Sequence, residues 1–323
     1  MEIIDLRHFT SADLRPLLEE ETNAWSRLLS WDYTSSADMI LRYVDARILP
    51  GYAAVERGRL HGYSFFVYEG GKGVIGDLFV ASESVNGHGH VIESRLITHV
   101  VETLQQSPGV RRIEAQLLVH QSGSVAAPFV DQGFQQFPRL FMTLPLRNGN
   151  APANGQGLKS AEILAPGPFE IRPWAEQDYQ GAASLITVCY RGHIDSEIND
   201  QYRTTQGALR FLNNIVRFPG CGFFDAPASF VAIEKKTGAM VGLILCSRVR
   251  GDVGHITQVC VLPEFRGAHL GWALMEASAN SLRKRNFSLL SLTVTEANHN
   301  AVELYKHLGF DIKRVFDAFV WVA

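Results

Sequence analysis

Cysteine is scarce in this chain. There are four in 323 residues, Cys189, Cys221, Cys246 and Cys260, and no two form a CxxC pair. Such spacing offers neither a disulfide framework nor a zinc cradle, and it fits a reducing, cytoplasmic setting. Runs of like charge are missing too; Arg283–Lys284–Arg285 is the nearest approach, and the net charge is only −3. No electrostatic footprint for nucleic acid is present. No apolar stretch reaches the ~20 residues of a membrane-spanning helix. The opening MEIIDLRHFT lacks the shape of a signal peptide. Neither nucleic acid nor membrane is therefore expected as a partner. What remains is ordinary globular composition, 46% hydrophobic and 20% charged, in a chain long enough for two cores.

Taken in order, the chain states the same pattern twice. After a short strand, Ser11 starts a helix with Leu14, Leu17 and Leu18 at helical spacing. Strand-like runs rich in Val, Tyr and Phe follow Gly51, broken at Arg57-Gly and Gly70-Gly. Ile92–Leu104 reads as an amphipathic helix, Ile113–Val119 as a strand, and the segment ending TLPL as another. Residues 147–168 are dense in Gly, Pro, Asn and Ala and read as a linker. The expected domains are thus 1–146 and 169–323. In the second, strands are expected at Phe169–Arg172, Ser229–Glu234, Met240–Arg248, His255–Leu262, Ser288–Thr295 and near Phe316–Trp321. Helices are expected up to about Arg217, after Gly267, and over Ala301–Leu308. The repeat holds letter by letter: GDLFVASE (76–83) lies under HITQVCVLPE (255–264), with Val80 at Val261, and VDQGF (130–134) lies under KHLGF (306–310).

The second copy carries the chemistry. In QVCVLPEFRGAHLGWAL (258–274) a strand runs through a glycine-containing loop into a helix, a junction that aims backbone N–H groups and the helix dipole at one spot. Gly267 and Gly271 allow an anion close to the backbone, and Arg266 can add a charge-assisted contact. Further on comes NHNAVELYKHLGF (298–310). These two segments resemble the GNAT superfamily of N-acetyltransferases. RGAHLG (266–271) is similar to its acetyl-CoA pyrophosphate loop, with His269 where the family has glycine. Asn298–Phe310 matches its N-x-x-A-x-x-L-Y-x-x-x-G-F signature. The whole chain resembles the tandem arrangement of that fold: α/β (α+β), two GNAT-like domains, each a mixed, mostly antiparallel sheet flanked by helices.

The resemblance implies an acetyl-CoA-dependent transfer to a primary amine by direct attack in a ternary complex. The N–H groups of Gly267, Ala268, His269, Leu270, Gly271 and Trp272 are then expected to hold the pyrophosphate. The strand at Val259, Cys260 and Val261 is expected to align the pantetheine arm, and Asn298 to touch the cofactor. Tyr305 falls on the family's acid; a phenol with a pKa of ~10 lies close enough to a thiol at ~8.5 for a short proton transfer. His255, at the start of the same strand, is the candidate base, with Glu296 as the alternative; Glu264 reads as a turn residue. In the first copy, Val85, His90, Ser122 and Phe129 stand at the positions of Arg266, Gly271, Asn298 and Tyr305, so that half is expected to be silent. The pair His88 and His90 lacks partners for a metal. The acceptor is expected to be a small amine or a protein N-terminus, and the protein a monomer or homodimer. A non-catalytic acyl-CoA sensor or scaffold stands as the other reading, motivated by His269.

Overall fold

The structure, a computed structural model, describes residues 1–82, 89–147, 167–217 and 222–323. The expected linker lies almost wholly outside these. Elements of the first repeat are β1 (Glu2–Asp5), α1 (Ser11–Leu29), α2 (Thr34–Asp45), β2 (Gly51–Glu56), β3 (Arg59–Glu69), β4 (Lys72–Val80), α3 (Gly89–Gln106), β5 (Arg112–Gln116), α4 (Ala126–Val130) and β6 (Gln135–Pro145). The second repeat gives β7 (Phe169–Pro173), α5 (Tyr179–Cys189), α6 (Ile194–Ile198), α7 (Thr205–Arg217), β8 (Phe223–Phe224), β9 (Phe230–Glu234), β10 (Met240–Arg250) and β11 (Val253–Val261). It ends with α8 (Leu270–Lys284), β12 (Leu289–Thr295), α9 (His299–His307) and β13 (Asp311–Val322). Among the described residues no helix is long and apolar enough to cross a membrane.

Two compact units emerge: Met1–Arg139 with Val315–Ala323, and Leu140–Arg314. In the first, β1 to β5 pair in sequence order, antiparallel except for the parallel pair β4 and β5. Leu14, Leu17 and Leu18 of α1 join Ile40, Leu41 and Val44 of α2 in one core cluster with Ala53 and Tyr63. Ile92, Leu96, Val100 and Leu104 of α3 form another with Phe66, Ile75 and Ile113. Apolar residues at three- and four-residue spacing thus cover sheet residues that alternate, which is why the two periods were readable.

The final strand departs from expectation. Its residues Ala318–Val322 pair antiparallel with Gln116–Arg112 of β5, so it completes the first unit's sheet. Residues 140–145 of β6, in turn, belong to the second unit and neighbour β12 there. The physical reason is specific packing. Phe319 stacks on Phe129 at 4.2 Å, and the buried Asp317 accepts Ser122 Oγ (2.8 Å) and the Gly123 N–H (2.7 Å).

The second unit orders its strands β7, β9, β10, β11, β12, again with one parallel pair, β11 and β12. α5 and α7 pack with Val231, Leu243, Leu245 and Cys260. α8 packs on Gly242 and Gly254, where an added Cβ would meet Leu274 and Leu282.

The first unit also buries an acid. Glu21 is fully buried and accepts from Trp25 Nε1 (3.2 Å) and Tyr63 OH (2.5 Å). Burial, and then the charge of Asp77, push its carboxyl well above the usual range. A raised folded pKa contributes stability that is present below the unfolded value of ~4.3 and is lost as pH rises through the folded one. Glu21→Gln should therefore match the native Tm near pH 4 and exceed it at pH 8 by the equivalent of at least about 1 kcal/mol. Thermal melts at the two pH values check this; an equal loss at both contradicts it.

Candidate active site

The site begins where two strands part. β11 and β12 pair only from Val253 with Leu289 to Ile256 with Leu292. The parting coincides with a bulge: Ile256 faces Cys246 and Gln258 faces Leu245, leaving Thr257 as the extra residue. Beyond it, residues 257–261 pair with β10 on one side only, and the other edge of peptide groups faces no strand among the described residues. Val259, Cys260 and Val261 lie on this stretch. Such an edge offers donors and acceptors to an extended ligand.

The loop after β11 makes a short turn at Pro263–Phe265, then bends through two left-handed residues, Gly267 (φ 82°) and His269 (φ 59°). His269 precedes the first turn of α8, and its carbonyl accepts the Ala273 N–H at 3.0 Å. Among the described residues no protein acceptor takes the N–H groups of Leu270, Gly271 or Trp272. These are the open donors of a helix start. An added Cβ at Gly271 would meet Leu304 at an ordinary 3.5 Å, so packing does not demand glycine there; close approach of a ligand would. Arg266 spends its guanidinium on protein carbonyls, Nη2 to Cys189 (3.2 Å) and Nε to Val261 (3.4 Å), which ties the loop to α5 and to the strand end.

The backbone at His269 also explains its departure from glycine. Histidine is among the side chains that enter the left-handed region most readily, so the loop's shape survives the substitution. His269→Gly should raise stability by up to about 1 kcal/mol, and His269→Val should lower it by a similar amount. Chemical denaturation checks both; a loss in the glycine variant contradicts strain at this position.

Tyr305 and Asn298 come from α9 and its start. Asn298 Oδ1 caps the helix through Ala301 N–H at 3.4 Å, and its Nδ2 stands 3.4 Å from His193 Nε2. Tyr305 is buried, its ring 5.9 Å from Phe310. Burial, then the charges of Asp195 and Cys260, push its phenol above the ordinary value, so it stays protonated at neutral pH. Asp195 accepts from Thr295 Oγ1 at the end of β12. Its Oδ2 lies 3.5 Å from His193 Nδ1, which accepts the Asp195 N–H at 3.2 Å. Tyr190 rests its ring 5.2 Å from His193 and 4.5 Å from Tyr202, and donates its hydroxyl to Gln258 Oε1 at 2.8 Å. The Cys189 and Cys260 thiols influence each other, which lowers the Cys189 thiol and raises that of Cys260.

His255 is placed differently from Tyr305 and Asn298. It is buried in the paired part of β11, its Nδ1 2.9 Å from Ser291 Oγ and its ring stacked 6.2 Å from Phe141. Glu296 is exposed after β12. His193, Tyr190, Gln258 and Thr295 were missed in the sequence. For His193 and Tyr190 the one signal is the mixture of acids (Asp195, Glu197, Asp200) and aromatics in 190–224; Gln258 and Thr295 carry none.

The first unit keeps the same parting. β4 and β5 pair only from Lys72 with Arg112 to Ile75 with Ala115, with Gly76 as the bulged residue. There the carbonyl of Leu78, the counterpart of Val259, accepts His120 Nε2 at 2.8 Å. Phe129, at the acid's position, is fully buried. Val85 and His88 lie outside the described residues, and His90 contacts Glu93 at 3.0 Å. Among the described residues no group of three or more His, Cys, Asp or Glu could hold a metal.

Known proteins agree with this architecture. Residues 194–310 match the model of the acetyltransferase (GNAT) family. An uncharacterized N-acetyltransferase of Methanocaldococcus jannaschii is 34% identical over 153 residues, 46% of this chain and 62% of that protein. A mycothiol acetyltransferase of Nocardiopsis dassonvillei is 26% identical over 280 residues, 80% of this chain and 78% of that one. The chain thus spans less than two thirds of the M. jannaschii relative, and its match to a mycothiol acetyltransferase of Thermobifida fusca spans 35% of that protein. Among solved structures, the tandem GNAT protein from the clavulanic acid biosynthesis pathway has a TM-score of 0.60 at 14% identity, covering 99% of this chain and 98% of its own. The chain has the tandem GNAT fold, and its residues 194–310 are similar to the GNAT acetyltransferase family.

Proposed function

We propose that the second unit transfers an acetyl group from acetyl-CoA to a primary amine by direct attack in a ternary complex. One observation carries this reading: the parted edge at 257–261 leads directly into the open first turn of α8. The N–H groups of Gly267–Trp272 hold the pyrophosphate, with Arg266 fixing the loop and Asn298 adding a contact. The edge at Val259–Val261 aligns the pantetheine arm and polarises the thioester carbonyl.

The amine nitrogen attacks the carbonyl carbon, the carbon–sulfur bond breaks, and Tyr305 gives its proton to the departing thiolate. The proton lost by the amine needs a base. His193 suits this better than His255, because it stands beside Asn298 at the start of α9, with Asp195 Oδ2 3.5 Å from its Nδ1. His255 is enclosed among Ser291 and Phe141. The acceptor is a small-molecule amine or a protein N-terminus. The first unit takes no part in the chemistry, since His120 and Phe129 fill the counterpart positions. The sensor or scaffold reading loses its motive, because His269 keeps the loop's backbone.

Titration with acetyl-CoA tests this. At about a hundredfold excess over Kd, binding should stabilise the fold by about 2.7 kcal/mol, seen as a rise in Tm. No shift at millimolar acetyl-CoA contradicts the proposal.

A further inference from the structure

Gln258 is the first residue past the bulge, and it is 5% exposed. Its Oε1 accepts the Tyr190 hydroxyl, while its Nε2 has no hydrogen-bond partner among the described residues. Buried donors are almost always satisfied, so an orphan beside the parted strand edge points to an acceptor atom on a ligand. The first unit supplies the contrast. Asp77 stands at the same offset from its own bulge, and there too a tyrosine, Tyr33, donates to it at 2.9 Å. Its other oxygen is filled by the Leu78 N–H at 2.8 Å. The same tyrosine-to-strand arrangement is closed by protein groups in one unit and left one partner short in the other.

The missing partner has to be an acceptor, which excludes an ammonium. Gln258 adjoins Val259 on the parted edge, and its partner Tyr190 shares with Tyr305 the influence of Asp195 and Cys260. The oxygen that the reaction brings to this spot is that of the acyl group, one bond from the carbon joined to the sulfur that Tyr305 protonates. We propose that Gln258 Nε2 donates a hydrogen bond to the carbonyl oxygen of the acyl thioester, adding a side-chain donor to the peptide N–H groups of β11. The inference rests on the reading of this slot as an acetyl-CoA site. As the amine's lone pair forms the new C–N bond, the carbonyl pair moves onto the oxygen and the hydrogen bond strengthens. When that pair returns, the C–S bond breaks and the thiolate takes the Tyr305 proton. Tyr190 orients the amide by occupying its other end.

Free coenzyme A has no acyl oxygen and leaves Nε2 unpaired, which makes binding the direct test. Calorimetric titration should give the native protein a roughly 3- to 10-fold preference for acetyl-CoA over coenzyme A. Gln258→Met removes the donor at similar volume, and Gln258→Glu removes it while keeping an acceptor for Tyr190. Whichever variant keeps a native melt should bind both ligands equally, with affinity for coenzyme A unchanged. With an amine that is turned over, kcat should fall about 100-fold. A preference that persists in a folded variant overturns the inference, as does its absence from the native protein. Failure of the native protein to bind either ligand overturns instead the acetyl-CoA reading beneath it.

Discussion

Tyr305→Phe should lower kcat by about 100- to 1,000-fold and leave the affinity for acetyl-CoA within about twofold. The ring stays, so its packing against Phe310 and the buried surface of α9 are kept, and only the hydroxyl is lost. In the proposed mechanism that hydroxyl matters most as the carbon–sulfur bond breaks, when negative charge gathers on the departing sulfur. Burial and the neighbouring Asp195 and Cys260 push the phenol above its ordinary value, which has two consequences. It is fully protonated at working pH. It also contributes no descending limb to the pH profile of the native enzyme below about pH 10. The rate loss in the variant should therefore be the same at pH 6.5 and pH 9. Steady-state rates across that range, with calorimetry for binding, check the prediction; an unchanged kcat contradicts the acid role.

The largest effect on stability should come from removing the last nine residues. A chain ending at Arg314 should lose the folded first unit. Val315–Ala323 gives β5 its second neighbour, from Ala318 opposite Gln116 to Val322 opposite Arg112. It also supplies Phe319, fully buried and stacked on Phe129, and the buried Asp317 that accepts from Ser122 and Gly123. Loss of one such phenylalanine alone costs ~3–5 kcal/mol. A domain's whole stability is about 5–15 kcal/mol, and the truncation removes a ladder of backbone hydrogen bonds as well. Phe319→Ala is the milder version and should cost ~3–5 kcal/mol. Hydrogen exchange locates the damage. Protection should vanish from β5 and α3 in the truncated chain, and native-like protection there would contradict the pairing as the source of stability.

The same strand shows where the sequence stopped being readable. The segments LFMTLPL (140–146) and VFDAFVWV (315–322) both alternate or run apolar, and each follows a helix and a glycine turn of the same form. Local pattern marks each as a strand. It cannot say that the later one lies against β5, because that depends on Asp317 finding Ser122 and on Phe319 finding Phe129, nearly two hundred residues away. The repeat itself is legible in Val80 at Val261 and VDQGF under KHLGF, whereas the bulged residues, Gly76 and Thr257, share an offset but not a letter.

In the candidate site the residues with one-dimensional signatures are the loop to Gly271, Asn298 and Tyr305. His269 was visible only as a deviation, since its left-handed backbone is a property of the loop rather than of the letter. His193, Tyr190 and Gln258 were not found. Tyr190 and Gln258 are 68 residues apart, and His193 meets Asn298 across 105, distances over which no periodicity speaks. His255 was chosen because histidine in the right strand has the right intrinsic chemistry. Three residues make the difference between the paired half of β11 and the parted half.

Acetyl transfer by the second unit is tested most directly by incubating the protein with acetyl-CoA and a panel of primary amines that includes short peptides. Free thiol and acetylated amine are measured together. Equimolar release of coenzyme A thiol and formation of an N-acetyl product, abolished in Tyr305→Phe, is the expected result. Acetyl-CoA that binds but yields no thiol and no product with any amine would contradict it.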